Sequence, residues 1–128
     1  MLIPIFVVRD VPEAIAFYAE VLDFELVLTL PSNVPNYAIM KRGQDQLHLN
    51  LTPGQGRFGH CAAVVPCEDV DGLFAFFRRR GLDTSARPDS PVHSAPVTQS
   101  WGTREVYVDD PSGNTLIFQQ RLPVPSIA

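Results

Sequence analysis

Polar and leucine residues alternate along the segment Gln46–Leu51, QLHLNL, which contains the first histidine of the chain. Successive side chains of a β-strand point to opposite faces of a sheet, so Gln46, His48 and Asn50 share one face and the leucines share the other. An imidazole between two carboxamides can form hydrogen bonds to a ligand, or it can supply one ligand to a metal ion. The segment therefore predicts a polar wall on one face of a sheet, with the leucines beneath a helix.

A metal site is the more demanding role for His48, because a catalytic divalent ion takes about three protein ligands and keeps one position open. The other candidate ligand is His60, at the start of a predicted strand and two residues before Ala62 on the same strand face. A shifted strand register could bring it near His48. A lone histidine on a strand is more often a hydrogen-bonded wall residue, so His48 and His60 are weak metal candidates and we expect no cofactor.

Other catalytic patterns are incomplete in the sequence. The segment Gly54-Gln55-Gly56 lacks the next glycine, the lysine and the helix of a phosphate-binding loop, so it is interpreted as a linker. Cys61 and Cys67 adjoin His60 in sequence only, without the geometry of a nucleophile and its base. Cys61 and Cys67 are six residues apart on what is predicted to be a strand, which separates them by about 20 Å. The Cα atoms of a disulfide lie within roughly 7 Å of each other, so these two cysteines cannot form one. Two free thiols favour a cytoplasmic location.

Glu105 and Trp101 could each serve a binding site. Glu105 could act as a general base, yet alternation puts Arg104 and Glu105 on opposite faces and leaves open which of them points inward. A surface carboxylate is the simpler interpretation of Glu105. Trp101 is the only tryptophan and follows a proline-rich loop, outside any apolar periodicity. It can plug the end of a core or line a binding site, and both interpretations stay open.

The composition is that of one globular domain and excludes some classes of partner. Of the 128 residues 45% are hydrophobic and 19% are charged, which is enough apolar content for a core. The net charge is -4, and the longest basic run is Arg78-Arg79-Arg80, so we expect no nucleic-acid partner. The apolar N-terminus MLIPIFVV is too short to span a membrane, and we expect no membrane partner.

The elements that position these residues start with a repeated phrase, DVPEAIAFY from Asp10 and DVDGLFAFF from Asp69. Asp10 is an N-cap with Glu13 three residues later, as in a capping box, and the apolar residues that follow recur at helical spacing. Each phrase therefore begins a helix that follows a strand. The strands predicted in the first half are Ile3–Arg9, Phe24–Leu30, Asn36–Arg42 and Gln46–Leu51. In the second half the elements are strand His60–Pro66, a helix from Asp69 to Arg80, a candidate strand Leu82–Ala86, a loop over 87–96, and strands Thr103–Asp109 and Asn114–Gln120.

Both halves follow the order β-α-β-β-β, which predicts an α+β fold of two tandem modules at about 2–52 and 59–120. We expect a single domain over residues 1–128, with a loose tail at 121–128. Neither module can bury its sheet alone, so the two must pack together, leaving a curved mixed sheet with a concave ligand cleft. Alternation places Thr115, Ile117 and Gln119 on the cleft side of their strand.

The duplicated module, the segment WGTRE at 101–105 and the turn DPSGN at 110–114 resemble the vicinal-oxygen-chelate superfamily over residues 2–120. This superfamily contains glyoxalases, ring-cleaving dioxygenases and antibiotic-resistance proteins, and the chain is most similar to the bleomycin resistance proteins. Asp23 stands where the family usually has glycine in a left-handed turn. Aspartate tolerates that conformation better than most residues, so we expect the turn to be kept.

The resemblance implies four metal-ligand positions, of which three are apolar in this chain. Ile3 and Ala62 stand seven residues before the two helix-capping aspartates, and Ile117 stands four residues after the glycine of the DPSGN turn. His48 occupies the fourth position. With one donor left of four, the resemblance implies binding without metal catalysis.

The resemblance also implies a homodimer that sequesters an antibiotic-like small molecule. This molecule is expected to be bulky and partly planar, and whether it is cationic stays open. Because aromatic residues around the cleft stack on the drug in the resistance proteins, we predict Trp101, Phe58 and Tyr37 as stacking contacts. We predict His48, Asn50, Glu105, Ile117 and Gln119 as further ligand contacts. Two alternatives stay open. One is a metal-dependent glyoxalase-like lyase or isomerase, or a dioxygenase-related enzyme, that uses His48; the other is an accessory module that binds a cellular metabolite. Whether the loop over 87–96 closes over a ligand also stays open.

Overall fold

The computed structural model describes residues 1–54 and 56–123. The first module forms a four-stranded sheet in the order β1-β4-β3-β2, with β1 parallel to β4 and the other neighbours antiparallel. Its elements are β1 Ile5–Val8, α1 Val11–Glu20, β2 Glu25–Leu30, β3 Tyr37–Arg42 and β4 Asp45–Leu51.

The second module repeats this topology in a separate sheet of order β5-β8-β7-β6, again with one parallel pair. The predicted α+β fold of two tandem modules is therefore confirmed. Its elements are β5 Ala62–Pro66, α2 Val70–Arg79, α3 Pro91–Ser94, β6 Val97–Thr98, β7 Thr103–Asp109 and β8 Thr115–Arg121. Arg121 of the predicted tail still belongs to β8, and residues 124–128 lie outside the described residues.

The repeated phrase encodes two helix N-caps. The Asp10 carboxylate accepts a hydrogen bond from the Glu13 N–H at 2.8 Å, and the Asp69 carboxylate accepts one from the Gly72 N–H at 3.0 Å. Each cap satisfies one of the backbone donors that a helix leaves free at its start. The Glu13 carboxylate does not close a capping box, because it forms an ion pair with Arg9 instead.

Within the described residues, no helix is long and apolar enough to cross a membrane.

The helix-facing residues of both sheets belong to one apolar core. Leu47 and Leu49 of β4 and Leu116 and Phe118 of β8 are at most 3% exposed, as alternation predicted. Burying each such side chain contributes about 1.5–3 kcal/mol to stability. The opposite faces of the two sheets are thereby left to polar and partly exposed residues.

The DPSGN turn joins the second module to the first. Asp110 accepts hydrogen bonds from the Tyr18 hydroxyl at 2.9 Å and from the backbone N–H groups of Ser112 and Asn114. The fully buried Asn114 amide donates to the Val7 carbonyl at 3.0 Å. Asp110 and Asn114 are thus structural residues, because together they satisfy buried polar groups on both sides of the module junction.

The segment Leu82–Ala86 forms no strand, so that prediction was wrong. The Asp83 carboxylate accepts hydrogen bonds from the Ser85 N–H at 2.9 Å and the Ser85 hydroxyl at 2.6 Å. Such local bonds compete with a strand ladder for the backbone. The chain returns to the sheet only at β6, two residues long, after the single turn of α3 within the predicted loop. The other strands lie within two residues of their predicted bounds.

Candidate functional site

The first sheet exposes a polar face with aromatic and histidine side chains. We define the first open face as the side of this sheet turned away from α1, which carries Ile5, Tyr37, Ile39, His48 and Asn50. Tyr37 lies opposite Asn50 and Ile39 opposite His48 in the β3–β4 register. The Tyr37 hydroxyl and His48 Nδ1 are 2.6 Å apart, and the two rings meet edge to face. The predicted residues Tyr37, His48 and Asn50 therefore lie side by side.

The second sheet carries an equivalent surface. We define the second open face as the side turned away from α2, with Val64, Glu105, Tyr107, Thr115, Ile117 and Gln119. Glu105 lies opposite Gln119, and Tyr107 lies opposite Ile117. The Gln119 amide Nε2 donates a hydrogen bond to Glu105 Oε2 at 2.6 Å. This bond leaves Gln119 Oε1 without a hydrogen-bond donor among the described residues.

Glu105 is 2% exposed, so its interpretation as a surface carboxylate was wrong. The neighbouring Arg104 points to the helix side of the sheet, where its guanidinium binds both carboxylate oxygens of Asp71 at 2.8 and 2.9 Å. These hydrogen bonds lower the pKa of Asp71 and hold Arg104 on α2. Alternation then turns Glu105 to the second open face. A buried carboxylate favours a cationic neighbour, because charges in a low-dielectric surrounding interact more strongly than in water.

Trp101 and Phe58 stand in loops and keep much of their rings exposed. Trp101, two residues before the start of β7, is 65% exposed, so the interpretation that it plugs the core was wrong for the single chain. Phe58 precedes β5 and is 38% exposed. In the described part of the chain neither ring forms a pair with another aromatic ring. Both rings are therefore free to stack on a ligand or on a second protein surface.

The segment 87–96 is tied to β7 by contacts that the sequence did not predict. His93 Nε2 lies 3.1 Å from Asp109 Oδ1, and the His93 ring packs edge to face on Tyr107. Arg87 donates to the other Asp109 oxygen at 2.8 Å, and the Ser90 hydroxyl lies 2.8 Å from His93 Nδ1. Tyr107 is an aromatic residue of the second open face that the sequence analysis missed. Strand alternation with Glu105 was the signal that could have found it.

The donor set of this chain does not fit the metal of the superfamily's enzymes. Two of the positions implied by resemblance hold Ala62 and Ile117, which lie on the second sheet, and a third holds Ile3, just before β1. His48 is the one donor of the four, and its Nδ1 is bonded to Tyr37. Within residues 1–54 and 56–123, no group of three His, Cys, Asp or Glu side chains is arranged to hold a metal ion.

His60 does not share a strand face with Ala62, so that prediction was wrong. It precedes β5, adopts a left-handed conformation with φ 61°, and is exposed, while its N–H donates to the Gly113 carbonyl at 3.1 Å. The left-handed residue interrupts the alternation on which the prediction depended. Asp23 also adopts a left-handed conformation, with φ 63°, as the resemblance implied. Cys67 is a half-buried free thiol whose pKa is raised by burial, which makes it a weak nucleophile.

A family model described as glyoxalase/bleomycin resistance protein/dioxygenase superfamily matches residues 4–118, nearly the whole chain. The chain belongs to this superfamily. No curated protein matches the sequence.

Solved structures of superfamily members share the fold at low sequence identity. The bleomycin-binding protein of Streptomyces verticillus, complexed with copper(II)-bleomycin, is 24% identical with a TM-score of 0.74, covering 96% of this chain and 95% of that one. A bleomycin resistance determinant encoded on transposon Tn5 is 22% identical with a TM-score of 0.77, covering 94% and 97%. A lactoylglutathione lyase from Agrobacterium tumefaciens is 21% identical with a TM-score of 0.70, covering 94% and 92%. Binding proteins and a lyase thus share this fold, and only the site residues can separate the two functions.

Proposed function

We propose that the protein binds and sequesters a bulky, partly planar, cationic small molecule, without metal-assisted chemistry. The observation that carries this proposal is the buried Glu105 carboxylate beside Gln119 on the second open face, while Ile3, Ala62 and Ile117 occupy metal-ligand positions. Sequestration requires only a preformed cleft with apolar walls and a few placed polar groups. Loss of the metal ligands therefore costs this function nothing.

The proposed ligand contacts come from both open faces. On the second face, Gln119 presents a carbonyl oxygen that can accept a hydrogen bond from a cationic or N–H donor, and the buried charge of Glu105 favours the same donor. On the first face, His48 keeps Nε2 available for a ligand because its Nδ1 is bonded to Tyr37. Trp101 and Phe58 supply exposed rings for the planar part of the ligand.

We further propose that the binding form is a homodimer. Apolar residues on and beside the open faces remain exposed in one chain: Ile5 and Val64 are each 52% exposed, and Leu30 at the end of β2 is 57% exposed. Exposed apolar surface of this kind is typical of an interface. A second copy that covers these residues would bring one open face of each protomer toward the other. Bleomycin resistance is the form of this function that two structural neighbours suggest, since one is a bleomycin-binding protein complexed with copper(II)-bleomycin and the other is a bleomycin resistance determinant.

The test is a titration of the protein with metal-free bleomycin, followed by Trp101 fluorescence and by calorimetry, together with sedimentation velocity. We expect saturable quenching at one drug per protomer and a dimeric mass. If bleomycin neither quenched Trp101 fluorescence nor released heat, it would be excluded as the ligand. Cellular metabolites would then be screened with the same fluorescence signal. The proposal would be overturned in favour of the enzyme alternative by two results together. Protein purified without an affinity tag would retain stoichiometric metal, and ligand binding would depend on that metal.

A further inference from the structure

A cavity of about 450 Å³ opens between the two modules, and we call it the seam cavity. Phe24 and Leu47 of the first module contribute to its lining, and so do Ala63, Val65 and Leu116 of the second. The strand residues in this set alternate with those of the two open faces, so the deep part of the cavity lies on the helix side of both sheets. The seam cavity is therefore separate from the site proposed between the open faces.

The floor of the seam cavity is apolar. Phe24, Leu47 and Leu116 are each at most 6% exposed, and the adjoining Ala63 and Val65 are half-buried. None of these side chains has a polar atom, so water in the deep part of the cavity finds few hydrogen-bond partners there. An apolar group that replaces this water is favoured, and each CH₂ group that it buries raises affinity about fourfold.

The mouth of the seam cavity carries a negative charge. Asp45 at the start of β4 is the one charged side chain of the lining among the described residues, and alternation places it on the same face as Leu47. Arg42 lies opposite Asp45 in the β3–β4 register, but its guanidinium lies over the Phe77 ring, 5.8 Å from the ring centre. Asp45 forms no ion pair within the part of the chain that the structure describes. The mouth therefore favours a positive group over a negative one.

We propose that the seam cavity is a second ligand site, which binds an aliphatic primary amine. The alkyl chain lies against the apolar floor at Leu47 and Leu116, and the ammonium group lies at Asp45. A volume of about 450 Å³ is within the range of small-molecule sites. Burial of the alkyl chain supplies the affinity, and the carboxylate supplies the preference for a cation over an anion of the same length.

The test is an NMR titration of protein labelled with ¹³C at its methyl groups, using butylammonium, hexylammonium and octylammonium chloride. We expect saturable shifts of the methyl signals of Leu47, Val65 and Leu116, with affinity rising about fourfold for each added CH₂ group. Hexanoate has a chain of the same length and the opposite charge. It should bind about tenfold more weakly than hexylammonium, because attraction to Asp45 is replaced by repulsion of similar size.

Variants separate the cavity from the rest of the surface. Ala63→Leu, which fills part of the cavity, should abolish the shifts, whereas Ala16→Leu, exposed on α1 and outside the lining, should leave binding unchanged. Asp45→Asn should weaken hexylammonium about threefold, through the loss of one exposed ion pair. Asp89→Asn, exposed and outside the lining, is its matched control and should keep the wild-type affinity.

Four results would each overturn the proposal. They are an affinity that does not rise with chain length, equal affinity for hexylammonium and hexanoate, shifts confined to Ile39 and Ile117 on the open faces, and no shift at all. The wild-type series and Asp45→Asn decide the matter even if Ala63→Leu does not fold. The bleomycin titration does not enter this test, so the two proposals can fail separately.

Discussion

The side-chain amide of Gln119 donates a hydrogen bond to the buried carboxylate of Glu105 at 2.6 Å, across the paired strands β7 and β8. One consequence is directional, because the bond fixes the amide nitrogen inward and leaves the Gln119 carbonyl oxygen for a ligand. The other is electrostatic, because a 2% exposed carboxylate is screened little by solvent. Both consequences favour the proposed cationic ligand, which would bring hydrogen-bond donors and positive charge to the second open face.

Replacing the charge of Glu105 should weaken binding of a cationic ligand while the fold is kept. In Glu105→Gln the side chain keeps its size and can still bond to Gln119, so we expect affinity for metal-free bleomycin to fall about tenfold, by about 1.4 kcal/mol. Calorimetry measures the change. Glu20→Gln, an exposed residue at the end of α1, is the matched control and should bind as the wild type does. Equal affinities for the two variants would remove Glu105 from the ligand site.

Removing the ring of Trp101 should affect binding rather than stability. The side chain is 65% exposed, so Trp101→Ala should change the free energy of unfolding by no more than about 0.5 kcal/mol. Loss of one stacking surface should weaken bleomycin about tenfold by calorimetry, which needs no tryptophan signal. Val34→Ala, a 66% exposed apolar residue in a first-module loop, is the control. If Trp101→Ala bound the drug with wild-type affinity, the stacking role would be excluded.

Alternation along strands predicted much of the fold and part of the site. It separated Leu47 and Leu49 from His48, because a half-buried strand leaves a period of two in the sequence. Alternation could not predict which face of the sheet Glu105 occupies, because β7 has buried residues on both faces and therefore no clear period of two. The contact between His93 and Asp109 joins a loop to a strand 16 residues away, and no local pattern records such a contact. Leu82–Ala86 failed as a strand because its own Asp83 bonds to Ser85.

The DPSGN turn should prove structural when Asn114 is truncated. Its amide bonds to the Val7 carbonyl, the Asp110 carboxylate and the Cys61 N–H, and the residue is fully buried. Asn114→Ala leaves several buried polar groups with fewer partners, so we expect stability to fall by about 2–4 kcal/mol in urea unfolding. Asn33→Ala, exposed in the turn after β2, should cost no more than about 0.5 kcal/mol. Similar stability of both variants would show that the turn does not hold the modules together.

The hydroxyl of Tyr18 should make stability fall at alkaline pH. Burial raises the pKa of Tyr18 well above its ordinary value, and the adjacent Asp110 charge, which accepts its hydrogen bond, raises it further. Above about pH 10 the unfolded chain ionises this tyrosine while the folded chain keeps it protonated. In this range the folded state binds more protons than the unfolded state. The free energy of unfolding therefore falls by about 1.4 kcal/mol per pH unit as the pH rises from about 10 toward the folded pKa.

Comparison with Tyr18→Phe isolates this contribution from every other group that titrates in the alkaline range. The variant lacks the hydroxyl bonded to Asp110, so we expect it to be less stable than the wild type by about 1–2 kcal/mol near pH 8. Since phenylalanine cannot ionise, the difference should shrink above about pH 10 and reach zero between about pH 10.5 and about pH 11.5. Urea unfolding of both proteins across this range measures the difference. A difference that stays constant with pH would mean that Tyr18 ionises as easily in the folded chain as in the unfolded one, and that the Asp110 cluster does not hold its proton.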